Sequence, residues 1–200
     1  MTKERDGAEG AVFLDRDGTI NVDVDYLSTP DEVEFIPGSI DAIRQLNDLG
    51  VPVIVITNQS GIARGLLTEK DMHAVHAEMD AVLRRHGARV DDYFFCPHHP
   101  DAVIEQYRKQ CTCRKPEPGM LIDAAKKHTI NLHSSFMIGD KCVDMKAGKA
   151  AGAVCLQVAT GYGSAERQIA EGTRDYFTDD LLGAVQIVKS IIHQRRQSHE

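Results

Sequence analysis

Four short stretches of this sequence carry groups that could act together on a phosphate. Asp15-Arg16-Asp17-Gly18-Thr19 sets two carboxylates two residues apart, and Thr57-Asn58-Gln59 offers a hydroxyl with neighbouring amides. Arg114-Lys115-Pro116 brings adjacent cations, and Gly139-Asp140-Lys141 with Asp144 adds two acids and a cation. Acids grouped in a pocket suit a divalent metal, and cations beside them suit an anionic substrate. Together they point to metal-assisted chemistry on a phosphate. Each stretch alone is ordinary. Asp-x-Asp commonly makes a turn, Thr-Asn after a strand caps a helix, and Gly-Asp forms turns. Their order and placement across the chain carry the argument.

A second cluster is of a different kind. Cys96-Pro97-His98-His99 is followed, with twelve residues between His98 and Cys111, by Cys111-Thr112-Cys113. Three thiolates and an imidazole make a closed tetrahedral zinc site, with no position open for catalysis. Cys96, His98, Cys111 and Cys113 are the expected ligands, with His99 open as the alternative imidazole. Reduced cysteines around a buried histidine, or a redox pair, are the competing readings. Cys113 directly precedes Arg114 and Lys115. A metal there would tie down a long loop, lower its closure cost and aim both cations. The remaining cysteines, Cys142 and Cys155, read as core residues.

These residues need elements to position them, and the hydrophobic pattern supplies candidates. Apolar runs at Ala11–Leu14, Val51–Thr57, Tyr93–Phe95, Ser135–Ile138 and Ala153–Val158 read as strands, with Tyr176–Thr178 as a last edge strand. Helical spacing occupies Ser39–Leu49, a segment opened by the Thr68-x-x-Asp71 capping box and closed near Gly87, then Gly119–Lys127, Val143–Ala150 and Leu181–Ile192. Cys96–Pro118 reads as an irregular insert. Strands alternating with helices predict an α/β fold, a Rossmann-like parallel sheet with helices on both faces. Ligands of such sheets bind at the carboxyl ends of the strands, and the four stretches fall at strand ends or just before a helix.

Length and composition set the outer bounds. The chain has 200 residues, a net charge of −7, 42% apolar and 26% charged residues. That is ordinary globular usage, and one domain spanning 1–200, with the loop at about 96–113, is expected. No apolar run reaches the ~20 residues of a membrane span, and the polar start MTKERDGAEG shows no secretory pattern. The odd count of five cysteines argues against a disulfide framework. A cytoplasmic protein follows as the expectation. The acidic balance, with no basic stripe or aromatic platform, excludes nucleic acid and an acidic membrane surface as partners. A monomer is the default.

The four stretches in this order resemble the motifs of the haloacid dehalogenase superfamily of phosphotransferases. DRDGT is similar to its first motif, Thr57 to the second, Lys115 to the third, and Gly139-Asp140 with Asp144 to the fourth. The resemblance covers about residues 11 to 160. It implies that Asp15 is the nucleophile and forms an aspartyl-phosphate, while Asp17 is the general acid and base. Mg²⁺ would be held by Asp15, the Asp17 carbonyl and Asp140. Asp144 would act through water or hold Lys141. The gaps of 42 residues from Asp15 to Thr57 and 58 from Thr57 to Lys115 are filled by expected elements, so a capless member is predicted. DRDGTIN, TNQSGIARG, CPHHP, CxCRKPxPGM and GDKxxD further resemble a zinc-loop subgroup acting on sugar bisphosphates or histidinol phosphate. That implies substrate contacts from Asp23, Val24, Asp25 and Tyr26, from Thr57, Asn58, Gln59 and Ser60, and from Arg114, Lys115 and Lys141. Arg64 is a further candidate cation. Asp23, Asp25 and Glu117 would suit a cationic substrate such as histidinol phosphate.

Overall fold

The structure, a computed structural model, describes residues 10–198. The N-terminal segment read above for a leader, residues 1–9, lies outside the described residues. In chain order the elements are β1 (Val12–Leu14), α1 (Ser39–Asp48), β2 (Val53–Asn58), α2 (Ser60–Ala63), α3 (Glu69–Arg85), β3 (Asp92–Cys96) and α4 (Gly119–His128). Then follow β4 (Phe136–Gly139), α5 (Cys142–Ala151), β5 (Val154–Val158), α6 (Gly163–Glu166), β6 (Tyr176–Thr178) and α7 (Leu181–Gln197). The six strands form one sheet in the order β3-β2-β1-β4-β5-β6, and every pair is parallel.

Alternate residues of each buried strand feed opposite layers, as the period of two requires. Val12 and Leu14 of β1, with Val53 and Val55 of β2, pack under α1, α3 and α7 against Ile43, Leu46, Met79 and Val185. Phe13, Ile54, Ile56 and Met137 face the other way, against Met120, Leu121 and Ala124 of α4 and Met145 of α5. Helices on both faces thus explain why these strands are apolar almost without alternation.

Register decides the site. Leu14 lies opposite Val55 on one side and Ile138 on the other. The chain therefore leaves β1, β2 and β4 at nearly the same height, and the Asp15 amide donates to the Ile138 carbonyl at 2.9 Å. The chain goes from β1 outward to β2 and β3, then returns to β4 on the other side of β1. That reversal opens a crevice at the strand ends.

The expected elements are all present, with shifts at their ends. Thr68 and Asp71 form the capping box: the Thr68 hydroxyl accepts from the Asp71 amide at 3.2 Å, and Asp71 accepts from the Thr68 amide at 2.9 Å. Helix α7 continues five residues past Ile192 to Gln197. Its last turn is polar and carries no apolar period to mark it. The one-turn helices α2 and α6 were too short to show a period. Cys96 ends β3, and residues 97–118 are irregular apart from a 3-10 turn at Glu105–Tyr107 and an isolated bridge between His99 and Arg108. Between β1 and β2 the chain forms only a loop with a 3-10 turn at Pro30–Glu32, then α1. No cap domain is inserted there or before Lys115 among the described residues. No described helix is long and apolar enough to cross a membrane.

Candidate active site

Asp15 follows directly on β1 and is buried against Lys115. The Lys115 ammonium donates to Asp15 Oδ1 at 2.7 Å and to the Ile56 carbonyl at 2.8 Å, and it lies 2.7 Å from Asp144 Oδ1. A buried lysine with three oxygen partners is a fixed cation. Burial would push its pKa down, but Asp144 and Asp15 outweigh that and raise it. Asp15 is pushed up to about 6, chiefly by burial; Lys115 opposes the rise and Asp144 adds to it. The lysine backbone is held as well. Asn58 Nδ2 donates to the Lys115 carbonyl at 3.0 Å, and the Lys115 amide donates to Asn58 Oδ1 at 3.0 Å.

Asp140 stands at the end of β4 and is fully buried. Its Oδ2 accepts from the Tyr162 amide at 2.8 Å, whereas Oδ1 has no hydrogen-bond partner. Burial and the charges of Asp15 and Asp144 raise its pKa to about 8. Two glycines make room for this carboxylate. Gly18, at φ +85°, and Gly161, at φ +55°, would each place a Cβ within 2.4 Å of Asp140 Oδ2. Carboxylate oxygens of Asp15, Asp140 and Asp144 all lie within 4.8 Å of one another. Clustered buried carboxylates, one oxygen without a donor, form a set that a hard divalent cation satisfies. The residues therefore fit Mg²⁺. Asp144 Oδ2 also accepts from the Lys141 amide at 2.9 Å, so Asp144 holds Lys141 through its backbone and Lys115 through its side chain.

Asp17 is gripped on all sides. Arg16 Nε and Nη2 donate to its two oxygens at 3.0 and 2.8 Å. Asn21 Nδ2 donates to Oδ1 at 2.9 Å and Gln59 Nε2 to Oδ2 at 3.0 Å. Burial alone would raise its pKa, but the Arg16 charge and these donors hold it below the ordinary carboxylate value. Gln59 also donates to the Thr57 hydroxyl at 2.9 Å, which orients Thr57.

A cavity of about 340 Å³ opens at these strand ends. Asp15, Asp17 and Lys115 line it, with Asp23, Asp25, Tyr26, Thr57, Asn58, Ser60, Arg114 and Lys141 from the sequence reading. Val24 and Gln59 do not line it: Val24 is 48% exposed, and buried Gln59 spends its amide on Asp17 and Thr57. Asp23 pairs with Lys141 across the mouth at 2.9 Å, and its Oδ1 accepts from the Asp25 amide in a tight turn. A shallower hollow of about 630 Å³ adjoins on the cysteine-loop side and shares Arg114 and Lys115 as a wall. Glu117 lines this hollow, while Arg64 is exposed and lines neither space.

Cys96, His98, Cys111 and Cys113 converge as the spacing predicts. Cys113 Sγ lies 3.1 Å from Cys96 Sγ and 3.0 Å from Cys111 Sγ, and Cys96 and Cys111 are 3.5 Å apart. His98 Nδ1 is 3.2 Å from Cys113 Sγ and 3.7 Å from Cys96 Sγ. These separations are far longer than a disulfide and near the edges of a tetrahedron around an ion with arms of about 2.3 Å. The donor set therefore fits zinc. His99 turns away, and its Nδ1 accepts from the Asp101 amide at 3.1 Å. The loop reaches the cavity through Arg114, whose Nη1 donates to the His98 carbonyl at 3.4 Å.

The comparisons with known proteins agree with this geometry. The HAD-hydrolase-like family profile matches residues 112–184. The D-glycero-beta-D-manno-heptose-1,7-bisphosphate 7-phosphatase of Escherichia coli (strain K12) is 43% identical over 179 residues, 90% of this chain and 93% of that protein. The chain belongs to the haloacid dehalogenase-like hydrolases. The Photorhabdus laumondii protein of the same name is 50% identical over 137 residues, 68% of this chain and 73% of its own. Among solved structures, the D,D-heptose 1,7-bisphosphate phosphatase of B. bronchiseptica, complexed with magnesium and phosphate, superposes with a TM-score of 0.81 at 36% identity. That match covers 90% of this chain and 98% of the other.

This haloacid dehalogenase-like site also contains residues that the sequence reading did not single out. Tyr162 and Glu166, on the turn after β5 and in α6, line the cavity. The Tyr162 ring sits 4.6 Å from Lys141 Nζ, and Glu166 accepts from the Cys142 amide at 2.6 Å. Gln157 is buried in β5 and donates to the Asp140 carbonyl at 3.1 Å, while Arg174 donates to Gln157 Oε1 at 2.8 Å. A Gly-Tyr-Gly after an apolar strand was the available signal for the first pair. A lone glutamine in an apolar run was the signal for the second.

Proposed function

We propose that this chain removes the 7-phosphate of D-glycero-D-manno-heptose 1,7-bisphosphate in the bacterial synthesis of ADP- or GDP-heptose, a precursor of lipopolysaccharide or surface-layer glycans. The observation that carries phosphoryl transfer is Asp15, held anionic by buried Lys115 beside the unpartnered Asp140 Oδ1. The sugar rests on the named relatives and on Arg114 beside Lys115, two cations for a substrate with two phosphates. Asp15, the Asp17 carbonyl and Asp140 would hold Mg²⁺, which when bound supplies positive charge against the phosphoryl oxygens.

Asp15 attacks phosphorus, the bond to the sugar oxygen breaks, and Asp17, ionised in the free site, passes to that oxygen a proton it takes up with the bound substrate. Asp17 then takes a proton from the water that hydrolyses the aspartyl-phosphate. Thr57 and Lys115 bind the phosphoryl oxygens as charge develops. Asp23 through Tyr26, Asn58, Ser60, Arg114 and Lys141 orient the remainder of the substrate. Cys96, His98, Cys111 and Cys113 would hold Zn²⁺, which when bound would tie down the loop that aims Arg114 and Lys115. We read residues 1–200 as one capless domain, cytoplasmic and monomeric.

The test is kcat/KM with Mg²⁺ for both anomers of the heptose bisphosphate, histidinol phosphate and fructose 1,6-bisphosphate. A heptose preference of about a hundredfold, about 2.7 kcal/mol in the transition state, is expected. A preference for histidinol phosphate would move the substrate assignment there and leave the mechanism standing.

A further inference from the structure

Arg16, between the two motif aspartates, is a large side chain only 1% exposed. Two edges of its guanidinium are spent. Nε and Nη2 form the fork onto Asp17, and Nη1 points inward to His76 Nε2 at 3.3 Å. His76 lies on α3, sixty residues along the chain, and does not line the cavity. We propose that His76 is a positioning residue for Asp17 and acts through Arg16.

The geometry supports this in three steps. First, a guanidinium has donors only, so His76 must accept through Nε2 and carry its own proton on Nδ1. Burial, with the Arg16 charge, holds the His76 pKa down at about 3, so the ring stays neutral and able to accept. Second, the ring is itself immobilised. It stacks on Tyr93 of β3 with centroids 4.2 Å apart and planes 19° from parallel. The Tyr93 hydroxyl donates to Asp80 Oδ1 at 2.8 Å, and His73 meets the ring edge-on. Third, Nε and Nη2 hold one edge of the guanidinium on Asp17, and the remaining nitrogen, Nη1, meets His76. The Nη1 contact to His76 fixes the plane. Asp17 then meets its fork in one orientation, and its carboxylate stays where a leaving oxygen would need it. Such an arrangement lowers the cost of orienting a catalytic group, which is worth orders of magnitude when it is lost.

The inference rests on the reading of Asp17 as the proton donor, and the test separates the two. Each protein is assayed with heptose 1,7-bisphosphate, whose alkoxide leaving group needs a proton, and with p-nitrophenyl phosphate, whose leaving group does not. The readout is kcat/KM, which covers the steps through departure of the leaving group. His76→Leu is expected to lower kcat/KM about tenfold or more for the sugar ester and less than about threefold for the aryl ester. His76→Gln, which places an acceptor near the Nε2 position, is expected to stay within about threefold of the parent on both. Asp17→Asn provides the benchmark, and loss of its alkyl-over-aryl difference would overturn the donor reading itself. Should His76→Leu not fold, Arg16→Lys keeps the charge and removes the fork, with the same ratio expected. An equal fall on both esters, no fall on either, or a glutamine variant as impaired as the leucine variant would overturn the proposal. If the parent prefers another alkyl phosphate, the substrate reading fails and the ratio is taken with that ester.

Discussion

Replacing Asp140 with asparagine should change how stability depends on pH, and in magnesium-free protein the size follows from its surroundings. The wild-type carboxyl is buried among Asp15 and Asp144, with a pKa raised to about 8. In the unfolded chain it is ionised throughout the range from pH 6 to pH 8. The folded protein thus binds more protons than the unfolded one across this window, so its stability falls as pH rises. A carboxyl that releases its proton near pH 8 costs about 2 kcal/mol between those limits. Asp15, raised to about 6, adds a fraction of that in the same direction. For a chain of this size the loss corresponds to roughly 4–8 °C in Tm.

The assay is thermal unfolding at pH 6, 7 and 8 in magnesium-free buffer without a chelator, so that a metal on the proposed zinc ligands would not be stripped. The comparison with Asp140→Asn cancels the titration of every group the two proteins share. The wild-type curve should fall more steeply than the variant's by the amount above. Millimolar Mg²⁺ should flatten the wild-type curve, because a bound cation stabilises the ionised site, and should leave the variant unchanged. Parallel wild-type and variant slopes would refute the reasoning. So would a wild type that gains stability relative to the variant as pH rises.

Other outcomes follow from the same contacts. Asp15→Asn should remove turnover by about a thousandfold or more while the fold stays intact, read by phosphate release and circular dichroism; retained phosphate release would exclude Asp15 as the nucleophile. Cys111→Ser should lower bound zinc, measured by elemental analysis, and speed proteolysis near residues 96–113. Full zinc occupancy in that variant would exclude Cys111 as a ligand. Gly18→Ala should cost about 1–2 kcal/mol for the left-handed backbone alone and, because its Cβ would lie 2.4 Å from Asp140 Oδ2, weaken Mg²⁺ affinity by titration calorimetry. Unchanged affinity would show that Asp140 is not held by this close approach. Gln157→Leu should lower stability by about 1–3 kcal/mol, since the Asp140 carbonyl loses its buried donor at 3.1 Å.

Much of this protein can be read along the chain. Strands buried on both faces must be apolar almost continuously, so VPVIVIT announces β2 and the parallel sheet. Parallel strands present their carboxyl ends together, so Asp15, Thr57 and Asp140 could be assigned to one crevice from their places after apolar runs. The cysteine spacing likewise named the four residues that converge. These features are local, or depend on a period the backbone imposes.

Tertiary structure decided what depends on distances across the chain. Nothing in the sequence told that Asp144 grips Lys115, or that Val24 faces solvent while Tyr26 faces the cavity. The pattern that favoured His98 left His99 open as the alternative, and the folded loop turns His99 away. Each depends on which way a loop closes, and irregular backbone has no period to read. The contacts to Arg16 and Gln157 were hidden for a related reason. A buried arginine and a buried glutamine find partners on other elements, His76 on α3 and Arg174 before β6. Only the packing of those elements brings the donors and acceptors within reach.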